Sequence, residues 1–338
     1  MEVEMSRFFA VVPFMNFGGS SKKVEAFNNF LSKLTQNIQR SSVIIVECAL
    51  EGNPFVVTQA SNPCHVQLKT KSAMQLKENL INIGASRLPT DWKYVAWIDP
   101  GIELTNSNWV KDTIEALRKR KIVQLFDRYV VSDGSGKIAY EQVGFVKRHI
   151  QRTLSKSSDS KSVVLSIACG ESSATSNGGA KSFTEFALPK NFGEIEGQPG
   201  IAWATTHKTW SLLDGLLEAA IGGGGDIYMA YSLIGQLKRC GLAINSVKYK
   251  QKVNEWDSRA SVIVQSNVGF VKGIAQKIKY EEEIEDLIVN GEKILNDNNF
   301  DPYKDLKRDL QRLQFYANPQ STLAVKLTEH ITHPKAIQ

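Results

Sequence analysis

The sequence predicts an α/β fold with a mostly parallel central sheet flanked by helices. Short apolar runs alternate with amphipathic stretches from Phe8 to Phe126, which is the pattern of strands joined by crossover helices. The composition, 42% hydrophobic and 22% charged over 338 residues, is that of an ordinary globular chain. A chain of this length buries enough surface for one large domain, or for one domain with a smaller companion.

Each element is predicted from its apolar period. Strands are expected over 8–12, 42–47, 94–98 and 122–126, with a shorter one over 56–58, and helices over 22–39, 72–88 and 109–120. Farther along, 197–206 is strand-like, 212–220 is helical in period, and another helix opens at Asp226. We expect a single domain over 1–305, with a Ser/Gly-rich insertion or lid over 151–182, followed by a helical tail over 306–338.

Polar residues stand where the predicted strands end. In parallel sheets ligands bind outside the carboxyl ends of the strands, and here the residues that follow strands are 13–17, Glu47 and Asp99. Asp99 occupies the position where α/β enzymes place a carboxylate for a metal or a ribose. It also begins Asp-Pro-Gly, a strong turn sequence, so the sequence leaves both interpretations open.

Four consecutive glycines, 222–225, precede Asp226. They present no Cβ, so a ligand can approach the backbone, and Asp226 in the first turn of the next helix would face that ligand. The alternative is a flexible connection in which Asp226 serves only as an N-cap. The chain has neither a P-loop nor a dinucleotide-binding glycine motif, which argues against kinase-like and dehydrogenase functions.

Several segments form a recognisable set when they are taken in order. They are KENLIN at 77–82, LPTDWKYVAWID at 88–99, NWV at 108–110, VQLF at 123–126, GIAWA at 200–204 and GGGGDIYMA at 222–230. Together they resemble nucleotide-sugar glycosyltransferases of the GT-A fold, in particular cytosolic enzymes of phages, large viruses and bacteria. The resemblance spans about 8–305, and its most specific parts are the YVAWID strand and the Gly-Gly-Asp helix start.

The resemblance implies transfer of a sugar from a nucleoside diphosphate donor, most often a UDP-sugar, to a glycan hydroxyl. The enzyme would be an inverting hexosyl- or pentosyltransferase. The implied donor-binding residues are Pro13, Asn16, Glu47, Lys77, Asn79 and Asp99, and the implied acceptor-binding residues are Gly200, Trp203, Gly224 and Gly225. Asp226 falls where inverting members carry the general base that takes the proton of the acceptor hydroxyl. Asp99 matches the first acid of the D-x-D metal motif.

The chain departs from the family pattern at the metal. Gly101 replaces the second aspartate of D-x-D, and the stretch 273–280 lacks the family's late histidine. Three alternatives follow. Lys277 or Lys279 supplies the positive charge in a metal-independent enzyme; Mn²⁺ or Mg²⁺ is held through Asp99 and the diphosphate alone; or activity has been lost.

The remaining expectations concern partners and location. A hydroxymethylated DNA base is an alternative acceptor, although a net charge of +6 is modest for a duplex binder. A catalytically silent nucleotide-sugar-binding protein is the alternative from another functional class. The widely spaced cysteines and the absence of any signal peptide or membrane span favour the cytoplasm, or the host cytoplasm if the source is a virus.

Overall fold

The computed structural model describes residues 2–133, 135–156, 196–240, 245–278 and 287–333. The strands are β1 Phe8–Met15, β2 Val43–Leu50, β3 His65–Thr70, β4 Tyr94–Ile98, β5 Ile102–Leu104, β6 Ile122–Gln124, β7 Arg128–Ser132, β8 Ile138–Val143, β9 Ala202–Thr206, β10 Val268–Phe270, β11 Ile274–Ile278, β12 Leu306–Arg308 and β13 Gln314–Tyr316. Most of the predicted insertion or lid over 151–182, and Lys279, lie outside the described residues.

The helices flank these strands. They are α1 Glu2–Met5, α2 Ser21–Leu34, α3 Lys77–Ala85, α4 Trp109–Leu117, α5 Phe145–Lys156, α6 His207–Leu213, α7 Gly225–Leu233, α8 Val247–Val264, α9 Leu287–Asp297, α10 Pro302–Asp305 and α11 Thr322–Thr332. Within the described ranges, no helix combines the length and the apolar character that crossing a bilayer requires.

The central sheet has seven strands in the order β10-β6-β9-β4-β1-β2-β3. The pairs β10–β6, β4–β1, β1–β2 and β2–β3 are parallel, whereas β9 runs antiparallel to both β4 and β6. This arrangement confirms the predicted α/β fold with a mainly parallel sheet. Because β9 is antiparallel, its first residues lie beside the carboxyl end of β4, which brings the segment before Ala202 close to Asp99.

Both faces of the sheet are buried. Phe9 and Val11 of β1 belong to one core cluster, which α3, α7 and α8 cover, while Phe8 and Val12 belong to the other, which α2 and α4 cover. Burial on both faces explains why the central strands are continuous apolar runs in the sequence. It also leaves the ends of the strands as the places where polar side chains reach solvent.

The first strand is longer than the sequence predicts. β1 continues through Pro13, because its pairing with β2 extends to Met15 opposite Cys48. Pro13 lacks an N–H, but β4 pairs with β1 only as far as Val11, so the proline removes no hydrogen bond to β4. Asn16 is therefore the first residue beyond this strand.

The prediction of a short strand over 56–58 is wrong. The backbone N–H groups of Val56 and Val57 donate to the carboxylate of Glu47 instead of to a neighbouring strand. The sheet edge is formed by β3, which was not predicted from the sequence. Three of its six residues are half-buried and one is exposed, so β3 lacks the apolar run that marks the central strands.

Two helices differ from their predicted bounds. Of the helix expected over 72–88, only α3 forms, because the residues before it are not helical and Gln75 donates its N–H to the Ile221 carbonyl. The helix expected over 212–220 lies earlier, as α6. It ends at Asp214, whose φ of 56° is left-handed and which donates its N–H to the Ser211 carbonyl.

A smaller sheet, β5-β11-β7-β8, packs beside the first. β5 begins three residues after Asp99, and β11 pairs with it so that Lys277 lies opposite Ile102. This pairing places the Lys277 backbone next to the strand that follows Asp99. The charge of Lys277 lowers the pKa of Asp99, although it is not the largest influence on that group.

The C-terminal segment is helical only in part. β12 and β13 form an antiparallel pair over 306–316, where a helix was expected, and α11 follows. Arg312 turns the chain between these strands with a left-handed φ of 68°. Leu313, Tyr316 and Leu327 enter the core cluster that contains α3, so this segment packs against the central sheet's own helices.

Candidate active site

Three charged side chains from distant parts of the chain meet beyond the carboxyl end of β4. Lys77 Nζ lies 3.4 Å from Asp99 Oδ2, and it also donates a hydrogen bond to Asp226 Oδ2. About a fifth to a quarter of each of the three side chains is exposed. The cluster is therefore open to a ligand from solvent while its charges are only partly screened.

The chain presents Asp99 through a turn. Its backbone N–H donates to the Ile201 carbonyl at 2.8 Å, which fixes it beside the entry to β9. Gly101, with a φ of 84°, then lets the chain fold back into β5. Asp99 is thus both a turn residue and a carboxylate at the strand end, so the two interpretations of Asp-Pro-Gly are compatible.

The glycine loop sets the position of Asp226. Gly223 and Gly224 have φ values of 105° and 79°, which favour glycine, and Gly224 is the N-cap of α7. Asp226 is the second residue of this helix rather than its N-cap. Its carboxylate points to Lys77, so the capping explanation for this aspartate is wrong.

Two glycines leave room that a methyl group would occupy. A Cβ on Gly200 would lie 2.5 Å from Asp226 Oδ2, and a Cβ on Gly225 would lie 2.8 Å from Glu78 Oε1. Both distances are shorter than van der Waals contact. Gly200 and Gly225 therefore position the acidic groups of the cluster.

Glu78 is a fourth member of the cluster, and the sequence analysis gave it no role. Its side chain is buried, with 5% exposure. Burial raises the pKa of Glu78, and the negative charges of Asp226 and Asp99 raise it further against the lowering effect of Lys77. Glu78 thus holds its proton more tightly than an ordinary carboxyl. Its position directly after Lys77, at a helix start within a quoted motif, is the signal that could have identified it.

The pKa values of Lys77 and Asp99 also shift because these charged groups are buried next to one another. Burial lowers the pKa of Lys77, but the carboxylates of Asp226 and Asp99 outweigh that effect and raise the pKa above its ordinary value. Burial also raises the pKa of Asp99, while Lys77 opposes the rise. Lys77 is therefore a permanent ammonium between two acidic groups.

These residues do not fit the divalent cation site that the family resemblance implies. In the described ranges, no three His, Cys, Asp or Glu side chains are placed to hold a metal ion. The Lys77 ammonium already lies 3.4 Å from Asp99 Oδ2. Glu103, the next acid along the chain, contacts the Lys33 ammonium instead.

Two of the predicted donor-binding residues hold loops. The Glu47 carboxylate accepts from Val56 N at 2.7 Å, from Val57 N at 3.2 Å and from the Thr58 hydroxyl at 2.5 Å. Asn16 donates its amide to the Ser20 carbonyl at 2.9 Å and accepts from Ser20 N at 3.0 Å. Both side chains stabilise loops that follow parallel strands, and Pro13 lies inside β1.

The side chains of Asn79 and Trp203 also make hydrogen bonds within the protein. Asn79 is buried, donates to the Arg312 carbonyl at 3.0 Å and accepts from Gln314 N at 3.0 Å, which ties α3 to the C-terminal strands. Trp203 lies in β9 and donates its indole N–H to the Pro199 carbonyl at 2.9 Å. It lines a small apolar cavity that also contacts Asp226. The structure thus brings Lys77, Asp99, Asp226 and the two glycines together, whereas the side chains of Asn16, Glu47, Asn79 and Trp203 make hydrogen bonds to other parts of the chain.

A second buried carboxyl lies behind the glycine loop. Tyr228 of α7 donates its hydroxyl to Glu292 Oε1 at 2.5 Å, and Glu292 is 2% exposed. Burial raises the pKa of Glu292 from 4.5 to about 7, although the Tyr228 hydrogen bond opposes the rise. The folded state therefore binds a proton that the unfolded chain releases at lower pH.

This difference predicts a pH-dependent stability that Glu292→Gln removes. Between pH 4.5 and about 7 only the folded carboxyl holds its proton, so its contribution to stability falls as pH rises, by about 1.4 kcal/mol per unit. We expect Glu292→Gln to gain stability relative to wild type from pH 5 to pH 8. Urea unfolding of both proteins at each pH measures this gain. Parallel pH profiles for the two proteins would show that Glu292 is ionised in the folded state.

Solved structures that match this chain share little sequence with it. No protein-family model and no curated protein matches the sequence. Glucosyl-3-phosphoglycerate synthase from Mycobacterium tuberculosis, in complex with Mn²⁺, UDP and phosphoglyceric acid, is 9% identical; the match covers 86% of this chain and 76% of that one, with a TM-score of 0.35. TarS from S. aureus is 8% identical, with 86% and 80% covered and a TM-score of 0.33.

A further match differs in the reaction that its name describes. The 4-diphosphocytidyl-2C-methyl-D-erythritol synthase from Anaerococcus prevotii is 12% identical, with 87% of this chain and 98% of that one covered and a TM-score of 0.33. At such TM-scores the likeness supports no residue-by-residue comparison. The roles of this chain's residues follow from their own contacts.

Proposed function

We propose that this chain is a glycosyltransferase that moves a sugar from a nucleoside diphosphate donor, a UDP-sugar, to a glycan hydroxyl. The observation that carries the proposal is the arrangement of Asp99, Lys77 and Asp226 beyond the carboxyl end of β4. It combines a cation for a diphosphate with a carboxylate suited to proton transfer. The family resemblance in the sequence also implies that this site binds a nucleoside diphosphate sugar and a glycan acceptor.

Asp226 is the proposed general base. Lys77 holds its Oδ2, whereas its Oδ1 makes no hydrogen bond to any described residue, so one oxygen is available to an acceptor hydroxyl. As the hydroxyl oxygen attacks the anomeric carbon, its proton passes to Asp226. The bond between that carbon and the phosphate oxygen breaks on the opposite face, and the nucleoside diphosphate leaves with the bonding electrons. This geometry inverts the anomeric centre.

Lys77 is the proposed partner of the departing diphosphate. An ammonium offers three donors, and two of them face Asp99 and Asp226. The third can meet a phosphate oxygen and stabilise the negative charge that develops on it. Because the described residues do not form a divalent cation site, a lysine at this position would supply the charge that a metal supplies elsewhere.

Calorimetric titration with UDP, with and without Mn²⁺, tests the donor site, and release of UDP from a panel of UDP-sugars in the presence of glycan acceptors tests transfer. We expect UDP to bind without Mn²⁺ and one UDP-sugar to be turned over. Absence of UDP binding under both conditions would exclude the proposal.

The misfit of the metal site favours a second candidate, a nucleotide-sugar-binding protein without catalysis. The contact between Lys77 and Asp226 would then hold the binding site together rather than serve proton transfer. The same experiment separates the two functions. UDP binding without turnover of any donor and acceptor pair would support the silent protein.

Gly200→Ala should lower transfer without removing any functional group. The new Cβ would lie 2.5 Å from Asp226 Oδ2 and 2.9 Å from Asp226 Cγ, so the carboxylate must move. Displacement of a catalytic group by about 1 Å costs up to about 100-fold in rate. The measurement is kcat at saturating donor, with UDP affinity as a check that the donor site persists.

Gly136→Ala is the matched control. Gly136 lies in the turn between β7 and β8 with open space around its Cβ position, so this change adds only backbone strain. It should leave kcat unchanged. Equal activities for the two variants would mean that the position of Asp226 does not limit the reaction.

A further inference from the structure

A cavity of about 950 Å³ lies at the opposite end of the central sheet from the Asp99–Lys77–Asp226 cluster. Trp92, before β4, and His207, after β9, contribute to its wall, whereas Asp99 follows the other end of β4. A strand rises about 3.3 Å per residue, so Trp92 and Asp99 are separated by roughly 20 Å. The cavity is therefore distinct from the candidate active site, and its volume is that of a site for a small molecule.

The cavity carries cations that the protein itself does not neutralise. Lys307 and Arg312 line it with exposed side chains that make no hydrogen bond or ion pair with described residues. Arg259 donates Nε to the Leu213 carbonyl at 3.1 Å, which leaves its outer nitrogens for another partner. Asp214 is the one acid of the lining without a partner among the described residues. The unpaired charge of the cavity is thus positive and suits an anion.

The other charges of the lining are already paired. Arg308 contacts Glu218 at 2.5 Å, and Lys252 contacts Glu255 at 3.4 Å. Within each pair the two charges cancel, so these residues do not change the net charge of the cavity lining. The positive excess therefore comes from the three cations named above.

The wall also holds an unsatisfied acceptor. Gln314 is 6% exposed, lines the cavity, and its Oε1 has no hydrogen-bond partner. A buried acceptor without a partner is costly. Because this oxygen has almost no accessible surface, a ligand hydroxyl would offset that cost only after the Gln314 side chain turns toward the cavity. The rings of Trp210, Tyr303 and His207 border the same space and provide flat apolar surface beside these polar groups.

We propose that this cavity is a second binding site, which takes an anionic carbohydrate. The cations hold the charged group and the aromatic rings pack against the sugar ring, while Gln314 Oε1 accepts from a sugar hydroxyl once its side chain turns toward the cavity. A sugar phosphate and a uronate share this chemistry. The inference does not rest on the proposed function, because none of the residues that carry it belongs to the active-site cluster.

Calorimetric titration of the full chain with four probes tests the ligand class. The probes are glucose 6-phosphate, glucuronate, glucose and inorganic phosphate. We expect glucose 6-phosphate or glucuronate to bind at least about tenfold more tightly than glucose and phosphate, since charge and hydroxyls act together. The stronger of the two anionic sugars identifies the charged group. Inorganic phosphate binding as tightly as glucose 6-phosphate, or no binding of either anionic sugar, overturns the proposal.

Matched variants locate the site. Lys307→Ser combined with Arg312→Asn removes two cations, and asparagine tolerates the left-handed φ of 68° at position 312. This variant should bind the preferred sugar at least about tenfold more weakly, while Lys304→Ser, at an exposed lysine outside the cavity, should not. Undiminished binding in the double variant would overturn the assignment of the cavity.

Discussion

Asp226→Asn is expected to lower the rate of sugar transfer by a factor of about 10²–10⁴, the usual contribution of a general base. The amide keeps the shape of the side chain and a hydrogen bond with its neighbours, but it cannot take a proton from the acceptor. UDP affinity should persist, because Lys77 and Asp99 remain. The measurement is kcat with the donor and acceptor found in the UDP-sugar panel, together with UDP titration of the variant.

Asp297→Asn is the control for this change. Asp297 is an exposed partner of Lys293 on α9, away from the cluster, and its replacement should leave kcat as in wild type. A folded Asp226→Asn variant with wild-type turnover would remove Asp226 from the mechanism. The site would then need another base, and Asp99 and Glu78 would be the remaining carboxyls of the cluster.

Lys77→Met should be the most destabilising change at the site. It removes the cation between Asp99 and Asp226 while Glu78 lies beside them, so ionised carboxylates face one another without compensation. Removing one partner of a buried ion pair costs about 3–5 kcal/mol; partial exposure of the pair favours the lower end of that range. UDP binding should be lost with the ammonium.

The pH dependence gives the sign of this effect. Without Lys77, the folded-state pKa of Asp99 rises further above its unfolded value, so folded stability is lost as pH increases through the ionisation of the carboxyls. The deficit of Lys77→Met relative to wild type should therefore be small at pH 4 and large at pH 8. Urea unfolding at the two pH values measures it.

Lys33→Met provides the comparison. Its ion pair with Glu103 is far more exposed, with 46% and 36% of the side chains accessible, and such pairs contribute little. The loss of stability caused by Lys33→Met should not grow with pH. If Lys77→Met behaved in the same way, the cluster would not be held by the charge of Lys77.

Parts of the structure were predictable from the residues alone. β4 has its expected bounds, 94–98, because a strand buried on both faces is a continuous apolar run and Asp-Pro-Gly ends it. The parallel direction of most central strands was predicted from the alternation of strands and helices along the chain. β3 was missed because an edge strand with half-buried side chains has no such run.

The roles of individual polar residues were less predictable. Glu47 was expected at the end of a strand, as a nucleoside-binding carboxylate would be, yet β2 continues to Leu50 and the Glu47 oxygens accept from 56–58. Asn79 was expected near the donor, yet Arg312 and Gln314 use both ends of its amide. Their partners are nine and more than two hundred residues away, and no periodicity in the sequence records such a pairing.

The α/β class, the strand that delivers Asp99 and the glycine loop that precedes Asp226 could all be predicted from the residues, because apolar period and glycine content act locally. That Lys77 lies between those two aspartates and that Glu78 is buried behind them follows from the packing of the folded chain. The physical reason is distance along the chain: residues 77, 99 and 226 become neighbours only when α3, β4 and α7 pack at one end of the sheet. Their charges interact only because that packing brings them together.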